Sequence, residues 1–122
     1  MSLMAYTRTR FLTETPRAAE RRLLTEITAD LIAVRDNTGR GAASMDALHR
    51  NREVWSVFAA SCGATGNELP KTLRAAIISL ALWVDKHTSS VVTGQEAIED
   101  LISVNLALID GLAATPVGAL KN

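Results

Sequence analysis

Apolar residues recur every three or four positions in four separate segments of this 122-residue chain, and no segment alternates apolar with polar residues. A spacing of three and four places side chains on one face of an α-helix, whereas strict alternation is typical of a β-strand. Each such helix has an apolar face that must be buried against a neighbour. The pattern therefore predicts an all-α protein, a compact single-domain bundle of about four main helices with short loops.

The residues beside these segments predict where the helices begin and end. Thr15 followed by Pro16 is typical of a helix start, because the threonine can cap a free amide and proline suits the first helical position. Pro70 is expected to start the third helix, and Thr93 with Glu96 has the spacing of a capping box for the fourth. The expected apolar faces are Ala19, Leu23, Ile27, Leu31 and Val34; Leu48, Asn51, Trp55, Phe58 and Cys62; Leu73, Ala76, Ile77, Leu80, Ala81, Val84 and Val91; and Ile98, Leu101, Ile102, Asn105, Leu108, Ile109 and Leu112.

These signals divide the chain into three parts. Residues 1–14 are expected to form an N-terminal arm, residues 15–114 the helical bundle, and residues 115–122 a C-terminal tail. The first helix is expected to end in the glycine-containing turn at residues 36–41, and the second to begin at Ser44.

The third segment contains ten consecutive uncharged residues, 75–84, immediately followed by Asp85 and Lys86. Such a run could be a membrane anchor, the middle of a core, or a surface that receives another helix. Crossing a bilayer takes about 20 predominantly apolar residues, so the membrane reading fails. Ile78 and Leu82 broaden the apolar face, and we expect this helix to be the central one, buried on more than one side.

The charge and cysteine content exclude several classes of protein. Thirteen basic and thirteen acidic residues cancel, and the sequence pI is about 6.7. A nucleic-acid module usually has a concentrated positive field and a pI above about 9, so direct DNA binding is not expected. The single cysteine, Cys62, cannot form an internal disulfide, and the start MSLMAYTRTRF lacks the apolar run of a secretory signal. We therefore expect a cytoplasmic protein without membrane attachment.

The sequence contains no recognisable pattern for catalysis or for a cofactor. Metal binding needs several converging ligands, and the chain has only His49, His87 and Cys62, with no CxxC or HExxH spacing. Cys62 has no base near it in sequence and is expected to be a core residue. His49 is expected to face solvent, and His87 to stabilise the end of the third helix. We expect a non-enzymatic protein with no metal and no cofactor.

Polar and aromatic residues on the apolar faces are the more informative feature. Asn51 and Asn105 each share a face with large apolar residues, and a buried amide costs free energy unless it is hydrogen-bonded. Each should therefore have a partner within the core, an arrangement that can fix helix register. Trp55 and Trp83 are either core residues or anchors of an interface.

Three blocks of the chain, LHRNREVWSVF, NELPKTLRAAIISLALWV and LISVNLALIDGL, resemble the FlaF family of bacterial flagellar biosynthesis regulators. The resemblance covers residues 5–112, and its pattern combines Asn-x-x-x-Trp-x-x-Phe, Leu-Pro-x-x-Leu-Arg and Leu-Ile-x-x-Asn with a Gly-Leu ending. The matching positions are Asn51, Trp55, Phe58, Leu69, Pro70, Leu73, Arg74, Leu80, Trp83, Val84, Leu101, Ile102, Asn105, Gly111 and Leu112.

The resemblance implies a cytoplasmic, non-enzymatic factor that promotes flagellin synthesis or secretion together with the regulator FlbT. Flagellin is the expected partner, FlbT is a further candidate, and the oligomeric state is left open. Flagellin's terminal segments are amphipathic helices, which a groove between bundle helices could receive on spaced apolar anchors. The residues that we associate with partner binding are Asn51, Trp55, Phe58, Arg74, Trp83 and Asn105.

An alternative function is post-transcriptional regulation of flagellin mRNA translation, through FlbT or through RNA itself. RNA contact should be strongly salt-dependent, because phosphates release counterions on binding. The balanced charge argues against such contact, although Arg21 and Arg22 with Arg50 and Arg52 could form a local basic patch.

Overall fold

The structure is a computed structural model that describes residues 14–37 and 42–114. These residues form four α-helices and no strand: α1 (Pro16–Asp36), α2 (Ala42–Gly63), α3 (Lys71–Val92) and α4 (Glu99–Ala114). The all-α bundle expected from the periodicity is confirmed. Three predicted features lie outside the described residues, namely the arm before Glu14, the turn glycines Gly39 and Gly41, and the tail at residues 115–122.

The start of α1 follows the predicted capping chemistry. The Thr15 hydroxyl accepts a hydrogen bond of 3.1 Å from the Ala18 amide, and Pro16 is the first helical residue. The predicted apolar face of α1 is only partly correct, because Leu23 is exposed whereas Leu24 and Thr28 are buried. The prediction followed residues spaced four apart, from Ala19 to Leu31. Each step of four rotates a side chain by about 40° beyond a full turn, so some of these residues turn away from the buried face.

Helix α2 lies between two of its neighbours. It packs against both α1 and α3, while α1 also packs against α4, and α3 touches α4 only sparsely. It begins at Ala42, two residues before the predicted Ser44. Its buried residues match the predicted face, with Ala47 added: Ala47, Leu48, Asn51, Trp55, Phe58 and Cys62.

The expectation that α3 is the central helix is wrong. Ile77 and Val84 are fully buried, but Ile78 is 37% exposed and Leu82 is 66% exposed. Because α3 packs chiefly against α2, one face is enough to bury it, and its uncharged residues also cover part of the surface. Within the described part of the chain, no helix combines the length and hydrophobicity needed to cross a membrane.

The predicted capping box at Thr93 does not start the fourth helix. The Thr93 hydroxyl instead donates to the Ser89 and Ser90 carbonyls, both at 3.2 Å, and its amide bonds to the Ser89 carbonyl. Gly94 follows with φ of 79°, a conformation that glycine adopts without strain. Thr93 therefore ends α3, and α4 begins five residues after Gly94, at Glu99.

The neighbouring isoleucines of α3 provide a test of this packing. Replacing Ile77 by alanine should lower the free energy of unfolding by about 2–5 kcal/mol, because it removes fully buried methylene groups and leaves a cavity. The matched variant Ile78→Ala should cost less than about 1 kcal/mol. Urea unfolding measures both values, and equal losses would contradict the placement of α3.

Candidate functional site

The core contains a network of hydrogen bonds centred on Asn105 of α4, which is completely buried. The Asn105 Oδ1 accepts a bond of 2.8 Å from the Trp55 indole nitrogen. The Asn105 Nδ2 donates to the Asn51 Oδ1 at 2.8 Å and to the Thr28 hydroxyl at 3.1 Å. Thr28 in turn donates to the Leu24 carbonyl at 2.6 Å. One side chain thus connects α4 to both α1 and α2.

The orientation of each amide follows from the donor at the head of the network. An indole N–H can only donate, so Asn105 must turn its oxygen toward Trp55 and its NH₂ group toward Asn51. Asn51 must then present its oxygen, because two NH₂ groups would repel each other. The partner that the sequence predicted for each asparagine is therefore the other asparagine.

The Asn51 NH₂ group is left without a partner by this arrangement. Its nitrogen is buried and has no hydrogen bond to any described residue. An unsatisfied buried donor costs about 1–3 kcal/mol, so the network includes one unfavourable group. A network that keeps such a group is better suited to fixing the register of three helices than to maximising stability.

Helix α3 is attached to the bundle in a different way. The buried Thr88 hydroxyl bonds within its own helix, to the Val84 carbonyl at 2.6 Å. The link to α2 is made at the surface, where an Arg52 guanidinium nitrogen donates to the Asp85 carbonyl at 2.8 Å and to the Ser89 hydroxyl at 2.7 Å. Helix α3 thus relies on apolar packing and on this arginine bridge.

The six residues associated with partner binding fall into two groups. Asn51, Trp55, Phe58 and Asn105 are buried together in the core. Trp83 is exposed on α3, and Arg74 lies half-buried in the first turn of that helix. A binding role for these residues stays a prediction, and of the buried four only Phe58 also lines a surface groove.

His87, on α3, contacts the turn between α3 and α4 and the first turn of α4. Its Nε2 lies 3.2 Å from the Ala97 carbonyl oxygen and 3.4 Å from an Asp100 carboxylate oxygen, and its ring stacks on Trp83. Glu96 brings a second carboxylate nearby, a set that could in principle hold a cation. A ring nitrogen that faces a carbonyl oxygen is a donor, however, and a protonated nitrogen cannot bind a metal. The geometry therefore fits a structural role.

The environment of Cys62 disfavours nucleophilic chemistry. The thiol is buried in the core, and that burial raises its pKa, an effect to which the negative charge of Glu20 adds. A nucleophilic cysteine needs the opposite, an accessible thiolate with a lowered pKa. His49 is exposed, as expected from the sequence. Its Nε2 lies 2.7 Å from a Glu53 carboxylate oxygen.

The arginines of the possible RNA patch are mostly neutralised by nearby acids. Arg22 pairs with Glu14 and Glu26 at 3.0 and 3.3 Å. Arg50 pairs with Asp30 at 2.9 Å and with Asp46 at 3.4 Å. Arg52 is engaged in the bridge to α3, which leaves Arg21 exposed beside them. The patch therefore offers little uncompensated positive charge.

An apolar groove runs along the surface between α1 and α2. We define this α1–α2 groove, of about 210 Å³, by Glu20, Leu23, Glu53, Val54, Val57, Phe58 and Ser61. Leu23 and Val57 are exposed in it, Val57 by 71%. Glu20 and Ser61 also line a wider depression of about 760 Å³ next to it, between the start of α1 and residues 64–68.

A second groove lies on the opposite side of α2. We define this α2–α3 groove, of about 520 Å³, by Arg52, Glu53, Ser56, Ala59, Ile78, Ala81, Leu82 and Asp85. The sequence predicts a groove between bundle helices but not its position, because Leu23 and Leu82 lie on the predicted apolar faces and Val57 on none of them. A second apolar stripe on α2, with Val54 and Val57 beside Phe58, was the available signal.

Comparison with known proteins gives one positive result. The family model described as Flagellar protein FlaF matches residues 2–112, a range that includes α1, α2, α3 and most of α4. No curated protein and no solved structure matches the chain.

A double-mutant cycle tests the amide network. Asn105→Ala should lower the free energy of unfolding by about 2–4 kcal/mol, because it strands the Trp55 donor and the Asn51 acceptor. Asn51→Ala should cost less, since it also removes the unpartnered NH₂ group. The double variant should be at least about 1 kcal/mol more stable than the sum predicts.

The control for this cycle is Asn67→Ala, since Asn67 bonds to Ser61 and Leu69 and not to the network. Its effect should add to that of Asn105→Ala within about 0.5 kcal/mol. Urea unfolding followed by tryptophan fluorescence gives all the values. Additive losses for Asn51 and Asn105 would show that the two amides are not coupled.

Proposed function

Because this chain belongs to the FlaF family of flagellar proteins, we propose that it acts in flagellum biogenesis as a non-enzymatic factor that binds flagellin. It acts in the cytoplasm, where it keeps flagellin ready for secretion, and it works together with the FlbT regulator. The observation that carries this proposal is the presence of open apolar grooves on a bundle whose core is already filled. A filled core leaves the outer surface as the place of recognition.

The grooves suit an amphipathic helix, the form of flagellin's terminal segments. Such a helix binds by laying an apolar face into a groove and placing anchors at positions i, i+3 or i+4, and i+7. Leu23, Val57 and Leu82 are exposed apolar side chains that could contact these anchors. Burying apolar surface contributes about 25 cal/mol for each Å², which favours capture of a helix that would otherwise aggregate.

The two described residues considered for catalysis, Cys62 and His87, lie in environments that do not favour it. The Cys62 thiol is buried and its pKa is raised. His87 is held between a backbone carbonyl and Asp100. Direct regulation through RNA receives less support than flagellin binding, because the arginines that would contact phosphates already pair with carboxylates.

A binding experiment with two forms of flagellin tests the proposal. Monomeric full-length flagellin should bind the full-length protein in a 1:1 complex, and flagellin without its terminal helices should bind at least tenfold more weakly. Isothermal titration calorimetry measures both affinities. Equal affinity for the two forms, or no binding to either, would contradict the proposal.

Salt dependence separates this function from RNA binding. Recognition by apolar burial should change flagellin affinity less than about tenfold between 50 and 200 mM salt, whereas a protein that contacts 6–10 phosphates loses about 10³-fold or more over this range. Titration of the flagellin mRNA leader at both salt concentrations provides the comparison. A tight, salt-sensitive RNA complex would favour the alternative function.

A further inference from the structure

We propose that the α1–α2 groove is the docking surface for flagellin, and that its occupant is an amphipathic helix with lysine or arginine beside its apolar stripe. This inference rests on the proposed function and adds to it the location of the site and the chemistry of the segment that binds there.

The lining of the two grooves distinguishes them. In the α1–α2 groove, Leu23, Val54, Val57 and Phe58 contribute large apolar side chains from both helices. On its α2 side, the α2–α3 groove is lined by smaller and more polar side chains, among them Ser56 and Ala59. The α1–α2 groove therefore has the smaller share of polar surface in its lining, which suits the apolar face of a docked helix.

The arginine bridge provides a second distinction. Arg52 and Asp85 both line the α2–α3 groove, and the hydrogen bonds from Arg52 to the Asp85 carbonyl and the Ser89 hydroxyl join the two helices there. A helix seated in that groove would compete with the bridge that attaches α3. Among the described residues, no hydrogen bond or ion pair joins α1 to α2 across the lining of the α1–α2 groove, so a helix can dock there without breaking one.

The charges at the edge of the α1–α2 groove indicate the chemistry of the occupant. Glu20 stands on the α1 side and Glu53 on the α2 side, so acids border the apolar floor on both sides. Arg17 approaches Glu20 only to 3.5 Å, and burial raises the pKa of the Glu20 carboxyl in spite of this arginine. Basic side chains from a partner would add positive charge to that of Arg17 beside Glu20.

The length of the groove sets the size of the helix. From Glu53 to Ser61 the groove follows nine residues of α2, whose eight steps span about 12 Å at the rise of an α-helix, or a little over two turns. The adjoining depression, which shares Glu20 and Ser61, extends the surface toward residues 64–68. An amphipathic segment of three to four turns can therefore lie along α1 and α2.

Two exposed residues of similar burial provide a matched pair of variants. Val57 is 71% exposed in the α1–α2 groove and Leu82 is 66% exposed in the α2–α3 groove, so an aspartate at either position should leave the fold intact. Val57→Asp should weaken binding of full-length flagellin at least tenfold, whereas Leu82→Asp should change it less than twofold. Circular dichroism verifies that both variants are folded.

A second pair of variants tests the charge requirement. Glu20→Gln combined with Glu53→Gln should weaken flagellin binding three- to tenfold at 50 mM salt and less at 200 mM, because salt screens the lost attraction. The control combines Glu99→Gln with Asp110→Asn, two exposed acids of α4, and should leave the affinity unchanged.

The outcomes separate this inference from the proposed function. If the unaltered protein does not bind flagellin, the proposed function fails. If it binds but Leu82→Asp abolishes binding and Val57→Asp does not, the function stands and the α1–α2 assignment is overturned. An unchanged affinity after both glutamates are replaced overturns the basic character assigned to the helix.

Measurements on the protein alone test two other occupants. If Val57→Asp converts a dimer into a monomer in analytical ultracentrifugation, the groove holds a second copy of the chain. If the same substitution speeds proteolytic cleavage within residues 1–13, the groove holds the chain's own N-terminal segment. Either result overturns the assignment to flagellin, and an unchanged sedimentation and cleavage pattern supports it.

Discussion

The hydrogen bond from the Trp55 indole to Asn105 orients the buried amides that join α1, α2 and α4. Because the indole can only donate, it fixes the Asn105 amide, which then fixes Asn51 and contacts Thr28. Apolar packing alone would tolerate small shifts of one helix against another, whereas these bonds require a single register for α1, α2 and α4. The cost is one unpartnered NH₂ group on Asn51, and the amide groups of both asparagines lie in the buried core.

Much of the fold could be predicted from local sequence signals. The cap at Thr15 and the apolar faces of α2 and α4 depend on neighbouring residues, and the structure agrees with them. The helix start expected at Pro70 is also correct to within one residue, since α3 begins at Lys71. The errors arise where tertiary packing decides. The uncharged run of α3 covers the surface because α3 has one main neighbour, α2, and Thr93 bonds backward to α3 instead of forward to α4.

The candidate site was harder to predict for a related reason. Asn51 and Asn105 could be identified as buried amides in need of partners, since polar residues on apolar faces are visible in the sequence. A groove depends instead on the distance between two helices and on which apolar residues stay uncovered. Val57 and Phe58 are adjacent in sequence and point about 100° apart on α2, so one is exposed and the other is buried. The packing of α1 against α2 then decides that Val57 stays uncovered. A filled core beside an open groove favours a protein that recognises partners on its outer surface.

Hydrogen exchange of the two tryptophan indoles, followed by NMR in the presence and absence of flagellin, tests this account most directly. The Trp55 N–H is buried and bonded to Asn105, so it should exchange only when the protein unfolds globally, whereas the N–H of Trp83, a residue that is 37% exposed, should exchange much faster. Flagellin should leave the protection of Trp55 intact, because the docking site that we propose lies on the outer surface of the bundle. Equal exchange of the two indoles, or loss of Trp55 protection when flagellin binds, would contradict the account.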